Sequence, residues 1–214
     1  MVRILLADDH DVVRHGLTAL LQERVGWTIC GEARTGREAV SLARDLQPEI
    51  AILDLTMPDL NGLETTRQIR KTSAGTQVLI FTMHHNESLV HDVLEAGARG
   101  YLLKSDAERH IVAAVESLLR HQPYFSAPVS ETVLEGFLRS AGKTGKAAPA
   151  RLTPREREII QLLAEGHRNK TIAHRLGISA KTVETHRTAL MRKIGVNSIV
   201  DLVRYAVRNH LTEA

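Results

Sequence analysis

The feature that most narrows the fold is an alternation. Short, nearly unbroken apolar runs, VRILLA (2–7), TICGEA (28–33), IAILDL (50–55), VLIFT (78–82) and GYLL (100–103), are separated by amphipathic stretches such as residues 12–21 and 38–46. Runs apolar at every position are strands covered on both faces, which occur almost only in parallel sheets. Five such units, joined by right-handed helical crossovers, predict an α/β doubly wound, flavodoxin-like domain with a five-stranded parallel sheet. Its last helix is expected to start at a capping box, Ser105-x-x-Glu108, and to run to about Arg120.

After residue 122 the pattern loosens. The stretch RSAGKTGKAAPA (139–150) holds little that a core would bury and reads as part of a linker over residues 123–150. A second domain, residues 151–214, opens with Thr153-Pro154-Arg155-Glu156, a capping box with Pro at the first helical position. From there only helices are signalled, separated at Gly166, Gly177 and Gly195. Charge divides at the same place: residues 1–150 carry a net −3 and residues 151–214 a net +6. A basic second domain is what a polyanion partner requires.

The chain has one cysteine, Cys30, in an apolar segment, which reads as a small buried side chain. No run approaches the roughly 18 apolar residues of a membrane span. The expected setting is a reducing cytoplasm, with no membrane partner.

In open α/β sheets the functional crevice lies at the carboxyl ends of the strands. The first run ends in Asp8 and Asp9, the third in Asp54, the fourth in Thr82, and Lys104 follows the fifth. Two adjacent carboxylates about 4 Å apart repel by roughly 4 kcal/mol at an effective dielectric near 20. A hard divalent cation relieves that cost: Mg²⁺ (or Mn²⁺) takes carboxylates, waters and phosphate oxygens. One carboxylate can then act as nucleophile toward a phosphoryl group, with Lys104 neutralising its oxygens and Thr82 donating to one of them. Singly, each residue has a plainer use, as a helix cap, a strand end or a solvated charge. Five at these strand ends make a site.

In the second domain, residues 169–179 read as a short helix and a Gly-containing turn, with Ser179 capping a further helix: a helix-turn-helix. Val183, His186, Leu190 and Ile194 recur at core spacing, leaving Lys181, Glu184, Thr185, Thr188 and Arg192 on the other face. On double-stranded DNA, Lys181, Glu184, Thr185 and Thr188 suit base edges, while Asn169, Lys170, Thr182 and Arg187 suit phosphates.

These motifs resemble a known family. Asp8-Asp9, Asp54 in DLTMPDLNG, Thr82 and Lys104 are similar to the receiver domain of bacterial two-component response regulators over residues 1 to about 122. LTPREREIIQLLAEGHRNKTIAHRLGISAKTVETHR resembles the LuxR-type helix-turn-helix, and together they resemble the NarL/FixJ class. The resemblance implies phosphorylation of Asp54 by a sensor histidine kinase. It implies Mg²⁺ ligation by Asp8, Asp9, Asp54 and the Thr56 carbonyl, with Tyr101 following Thr82 toward the phosphate. It also implies homodimerisation through a last helix over residues 198–209, carried by Ile199, Leu202, Val203 and Ala206, and admits RNA polymerase as a partner. Such a protein hydrolyses at most its own aspartyl phosphate. His84 is atypical for the class and is expected to alter phosphate lifetime. Two other readings remain: a Mg²⁺-dependent aspartyl-phosphate phosphohydrolase, and a DNA-binding regulator whose receiver is never phosphorylated.

Overall fold

A computed structural model describes residues 1–84, 87–126, 129–130 and 152–212. Strands β1 (Val2–Ala7), β2 (Trp27–Ala33), β3 (Ile50–Leu53), β4 (Gln77–Thr82), β5 (Gly100–Leu103) and β6 (Tyr124–Phe125) form one sheet in the order β2-β1-β3-β4-β5-β6. Every pairing is parallel. Helices α1 (Asp11–Gln22), α2 (Gly36–Leu46), α3 (Gly62–Thr72), α4 (Glu87–Ala96) and α5 (Ala107–Leu119) cover it.

The period of two along a strand explains why the runs are apolar throughout. Ile4, Leu6, Ile50, Ile52, Leu79 and Phe81 face one layer with Leu17 and Leu21 of α1 and Ile111, Val115 and Leu118 of α5. Leu5, Ala7, Ala51, Leu53, Val78 and Ile80 face the other, with Ala39 and Ala43 of α2, Ile69 of α3 and Val93 of α4. Only the edge strand β2 and the strand starts leave polar side chains toward solvent.

Two expectations change here. The sheet has six strands rather than five: Tyr124 and Phe125 pair with Gly100 and Tyr101, and Val129 is fully buried in the core. The sheet and its core therefore include residues past 122, where the first domain was expected to end. Most of the expected linker, residues 131–150, lies outside the described residues. Nor does Ser105 cap α5. Residues Lys104–Asp106 form a 3₁₀ turn and α5 starts after Asp106, with no side-chain cap. Local capping yields to the turn that follows β5 and holds Lys104 at the strand ends.

The second domain consists of α6 (Pro154–Ala164), α7 (Asn169–Leu176), α8 (Ala180–Ile194) and α9 (Ile199–Arg208). Both expected starts form: Thr153 and Glu156 make the reciprocal capping box, and the Ser179 hydroxyl accepts from the Thr182 amide. Gly177, at φ +63°, turns α7 into α8, a left-handed conformation that a Cβ disfavours. Ile159, Leu162, Ile172, Val183, Leu190, Leu202 and Ala206 fill the core, while His186 is only half-buried.

Candidate phosphoacceptor site and nucleic-acid face

At the carboxyl end of the sheet, β1 delivers Asp8 and Asp9, β3 delivers Asp54, and Lys104 follows β5. Lys104 Nζ lies 2.7 Å from Asp8 Oδ2 and 2.8 Å from Asp54 Oδ2, so one cation bridges two carboxylates that are each only 2% exposed. The Leu55 amide donates to Asp54 Oδ1 at 2.7 Å, which fixes the other oxygen. Arg14 donates to the Asp8 carbonyl at 2.7 Å, holding the chain where β1 ends.

Charge balance is incomplete. Burial pushes the Asp54 carboxyl up to about 7; Lys104 opposes the shift and Asp8 adds to it. Burial by itself pulls the Lys104 ammonium down, yet the two carboxylates hold it above its ordinary value. Asp8 Oδ2 and Asp9 Oδ1 are buried without an aligned hydrogen-bond donor, although Lys104 and His10 lie nearby. Two under-satisfied carboxylate oxygens at the end of β1, facing the Asp54 carboxylate at the end of β3, are the kind of donor set that a hard divalent cation prefers. One oxygen each from Asp8, Asp9 and Asp54, with a His10 ring nitrogen, lie within 4.8 Å of one another. The residues present thus fit Mg²⁺.

His10 was not foreseen. Its Nδ1 lies 2.9 Å from Asp9 Oδ1 and 3.2 Å from Asp8 Oδ1, and chiefly the Asp9 charge raises its pKa. Its position directly after two aspartates was the available signal.

Thr82 is fully buried at the end of β4, and its hydroxyl accepts from the His84 amide at 3.2 Å. The Tyr101 ring is fully buried, with its hydroxyl donating to the His84 carbonyl at 2.7 Å. Thr82 and Tyr101 are therefore linked through the backbone of residue 84. The His84 ring faces elsewhere, 4.3 Å between centroids from His210 of the second domain. Its expected action on the phosphate's water gains no support from that orientation.

Thr56 is buried, in the loop from β3 to α3. That loop is tight. Gly62 donates to the Leu55 carbonyl at 2.7 Å, and a Cβ on Gly62 would stand 2.2 Å from the Asp54 carbonyl oxygen. Asp59 adopts φ +67°. The second domain grips this loop. Gln161 of α6 donates to the Met57 carbonyl and accepts from the Asn61 amide, both at 2.8 Å. Glu165 accepts from the Asp59 amide at 3.1 Å, and Arg175 pairs with the Asp59 carboxylate. Arg157 reaches Glu64 and Asp92, each at 3.5 Å. None of these seam contacts was read from the sequence, since contacts between surfaces of separate domains leave no periodic signal.

The face of α8 opposite its core is open. Lys181, Glu184, Thr185, Thr188 and Arg192 are exposed and share one depression with Ala189. Lys181 Nζ pairs with Glu184 at 3.0 Å, and the Thr185 and Thr188 hydroxyls donate to carbonyls one turn back. Lys170 is exposed, while Asn169, Thr182 and Arg187 are half-exposed. On α9, Leu202 and Ala206 are fully buried in their own domain's core, which removes them from the expected dimer face. Ile199 (41% exposed) and Val200 (55%) lie outside it, with Val203 and Val207 partly exposed. Both faces of α9 carry apolar residues, so spacing alone could not tell the inner from the outer.

Comparison with known proteins agrees with this division. Residues 4–116 match the model of the response regulator receiver domain, and residues 150–206 match that of the bacterial regulatory proteins of the luxR family. The transcriptional regulatory protein LiaR of Bacillus subtilis is 38% identical over 99% of both chains. The oxygen regulatory protein NreC of Staphylococcus carnosus is 35% identical over 99% of this chain and all of its own. Among solved structures, the RcsB response regulator of Salmonella typhimurium aligns over 95% of this chain and 96% of its own, at 27% identity and a TM-score of 0.67. An RcsB–DNA complex aligns over 95% and 96%, at 25% identity and a TM-score of 0.59.

Proposed function

The chain belongs to the two-component response regulators that join a receiver domain to a LuxR-family DNA-binding domain, and on that premise we propose that Asp54 is its phosphoacceptor and α8 its DNA-reading helix. The protein is a transcription regulator rather than a classical enzyme. The observation that carries the site assignment is the convergence of Asp8, Asp54 and Lys104, with Lys104 Nζ 2.7–2.8 Å from both carboxylates.

A sensor histidine kinase supplies the phosphoryl group: the donor's bond to phosphorus breaks as the bond from an Asp54 oxygen to phosphorus forms. Lys104 exchanges part of its contact with Asp54 for a phosphoryl oxygen, and the Thr82 hydroxyl turns toward another. Asp8, Asp9, Asp54 and the Thr56 carbonyl would hold Mg²⁺, which supplies positive charge opposite the phosphoryl oxygens. The acyl phosphate is later hydrolysed within the same site. Movement of Thr82 is carried through residue 84 to Tyr101, biasing the protein between two populations.

On DNA, Lys181, Glu184, Thr185 and Thr188 meet base edges, with Lys170, Asn169, Thr182 and Arg187 toward phosphates. Two copies pair through the outer stripe of α9, Ile199, Val200, Val203 and Val207, on a two-fold site. The relative's DNA complex and the exposure of both surfaces support this arrangement. No helix among the described residues is long and apolar enough to cross a membrane, and a DNA-binding regulator of this class works in the cytoplasm. Incubation with acetyl phosphate and Mg²⁺ should add one phosphoryl group to the intact protein by mass spectrometry and none to Asp54→Ala. Equal modification of both would remove Asp54 from this role.

A further inference from the structure

One buried contact joins the two domains at the acidic site. Gln161, on the first helix of the DNA-binding domain, is fully buried and spends its amide on the receiver's backbone. Its Nε2 holds the carbonyl of Met57, the residue directly after Thr56, and its Oε1 holds the amide of Asn61, directly before Gly62. Four residues along, Glu165 holds the Asp59 amide and is itself fixed by Gln161 Nε2 at 2.8 Å. Backbone groups of residues 57, 59 and 61 are thus met by two side chains one turn apart, one on α6 and one at its C-cap. The segment so held leaves Asp54, returns to Leu55 through Gly62, and contains a left-handed aspartate.

A loop with such a conformation has alternatives, and a ligand that uses one of its carbonyls must pay for selecting the right one. Side chains that select it beforehand remove that cost. We infer that Gln161 is a positioning residue of the acidic site, supplied by the DNA-binding domain: it preorganises the 55–61 loop for the cation. This rests on the assignment of the Thr56 carbonyl as a ligand in the proposed function. Linkage makes the effect reciprocal, so cation binding tightens the hold of α6 on the loop. Signal thereby reaches the DNA-binding domain through the β3–α3 loop, in addition to the Thr82–Tyr101 route.

The test uses full-length protein and Mg²⁺ alone. Isothermal titration calorimetry should show Mg²⁺ bound three- to tenfold more weakly by Gln161→Leu, which keeps the volume and loses both bonds. Hydrogen exchange should show Mg²⁺ slowing amides in 57–62 and in 154–164 of the wild type. In the variant the response at 154–164 should be lost. Gln161→Glu, which keeps an acceptor for the Asn61 amide but loses the donor to Met57, gives a second measurement if Gln161→Leu does not unfold cooperatively. Equal Mg²⁺ affinity in a folded variant, or a wild-type α6 indifferent to Mg²⁺, overturns the inference. If the wild type and Asp54→Asn are alike in binding no Mg²⁺, the acidic-site assignment falls first and takes this inference with it.

Discussion

The two working ends of this molecule use charge in opposite ways. At the receiver's strand ends Asp8 and Asp54 are almost wholly buried and share Lys104, so each proton or cation is felt strongly by its neighbours. On α8 the charged groups stand in water, and Lys181 pairs with Glu184 while both remain exposed. An exposed pair of this kind contributes little, about 0.3–0.5 kcal/mol on a helix. Burial couples the charges of the first region tightly to one another; exposure leaves those of the second nearly independent.

The sharpest way to break that contrast is Lys104→Met. Removing the shared cation leaves two buried carboxylates without the positive charge between them, and loss of one member of a buried ion pair costs on the order of 3–5 kcal/mol. Metal-free denaturant unfolding at pH 8 should register that loss. A change below 1 kcal/mol would mean that the pocket admits far more water than its geometry indicates.

Next in size is a pH effect. The folded-state pKa of Asp54 is raised to about 7, above its unfolded value of 3.8. Between these values the native state binds the extra proton, so stability falls as pH rises from about 4 to 7. In metal-free buffer Asp54→Asn should therefore melt above the wild type at pH 8, with the gap closing toward pH 5. A gap independent of pH would show that Asp54 is not the titrating group.

The smallest effect belongs to the exposed end. Lys170→Ala should weaken binding to duplex DNA about equally across sequences. The slope of log affinity against log salt should drop by about one, as for one lost phosphate contact. An unchanged slope would remove Lys170 from the phosphate-contacting set.

The same contrast explains what the sequence made legible. Strands buried on both faces write themselves as unbroken apolar runs, so the sheet and the residues at its ends are readable from the order of amino acids alone. The caps at Thr153 and Ser179 were equally local. The two residues of β6 were too few to carry a period, and Ser105 lost its cap to the turn that seats Lys104. Leu202 and Ala206 were assigned outward because α9 is apolar on both sides. His10 and the Gln161 grip depend on what lies opposite in space, and a linear pattern holds no record of that.

Gly62 has a consequence out of proportion to its size. It bears no charge, donor side chain or ligand atom, yet the main chain of Asp54 passes so near that a single extra carbon collides with it. An alanine there would shove Asp54 and, through Asn61, disturb the grip of Gln161. One methyl group would thus disturb both at once, and a screen for silenced regulators would recover this glycine beside the aspartate it supports.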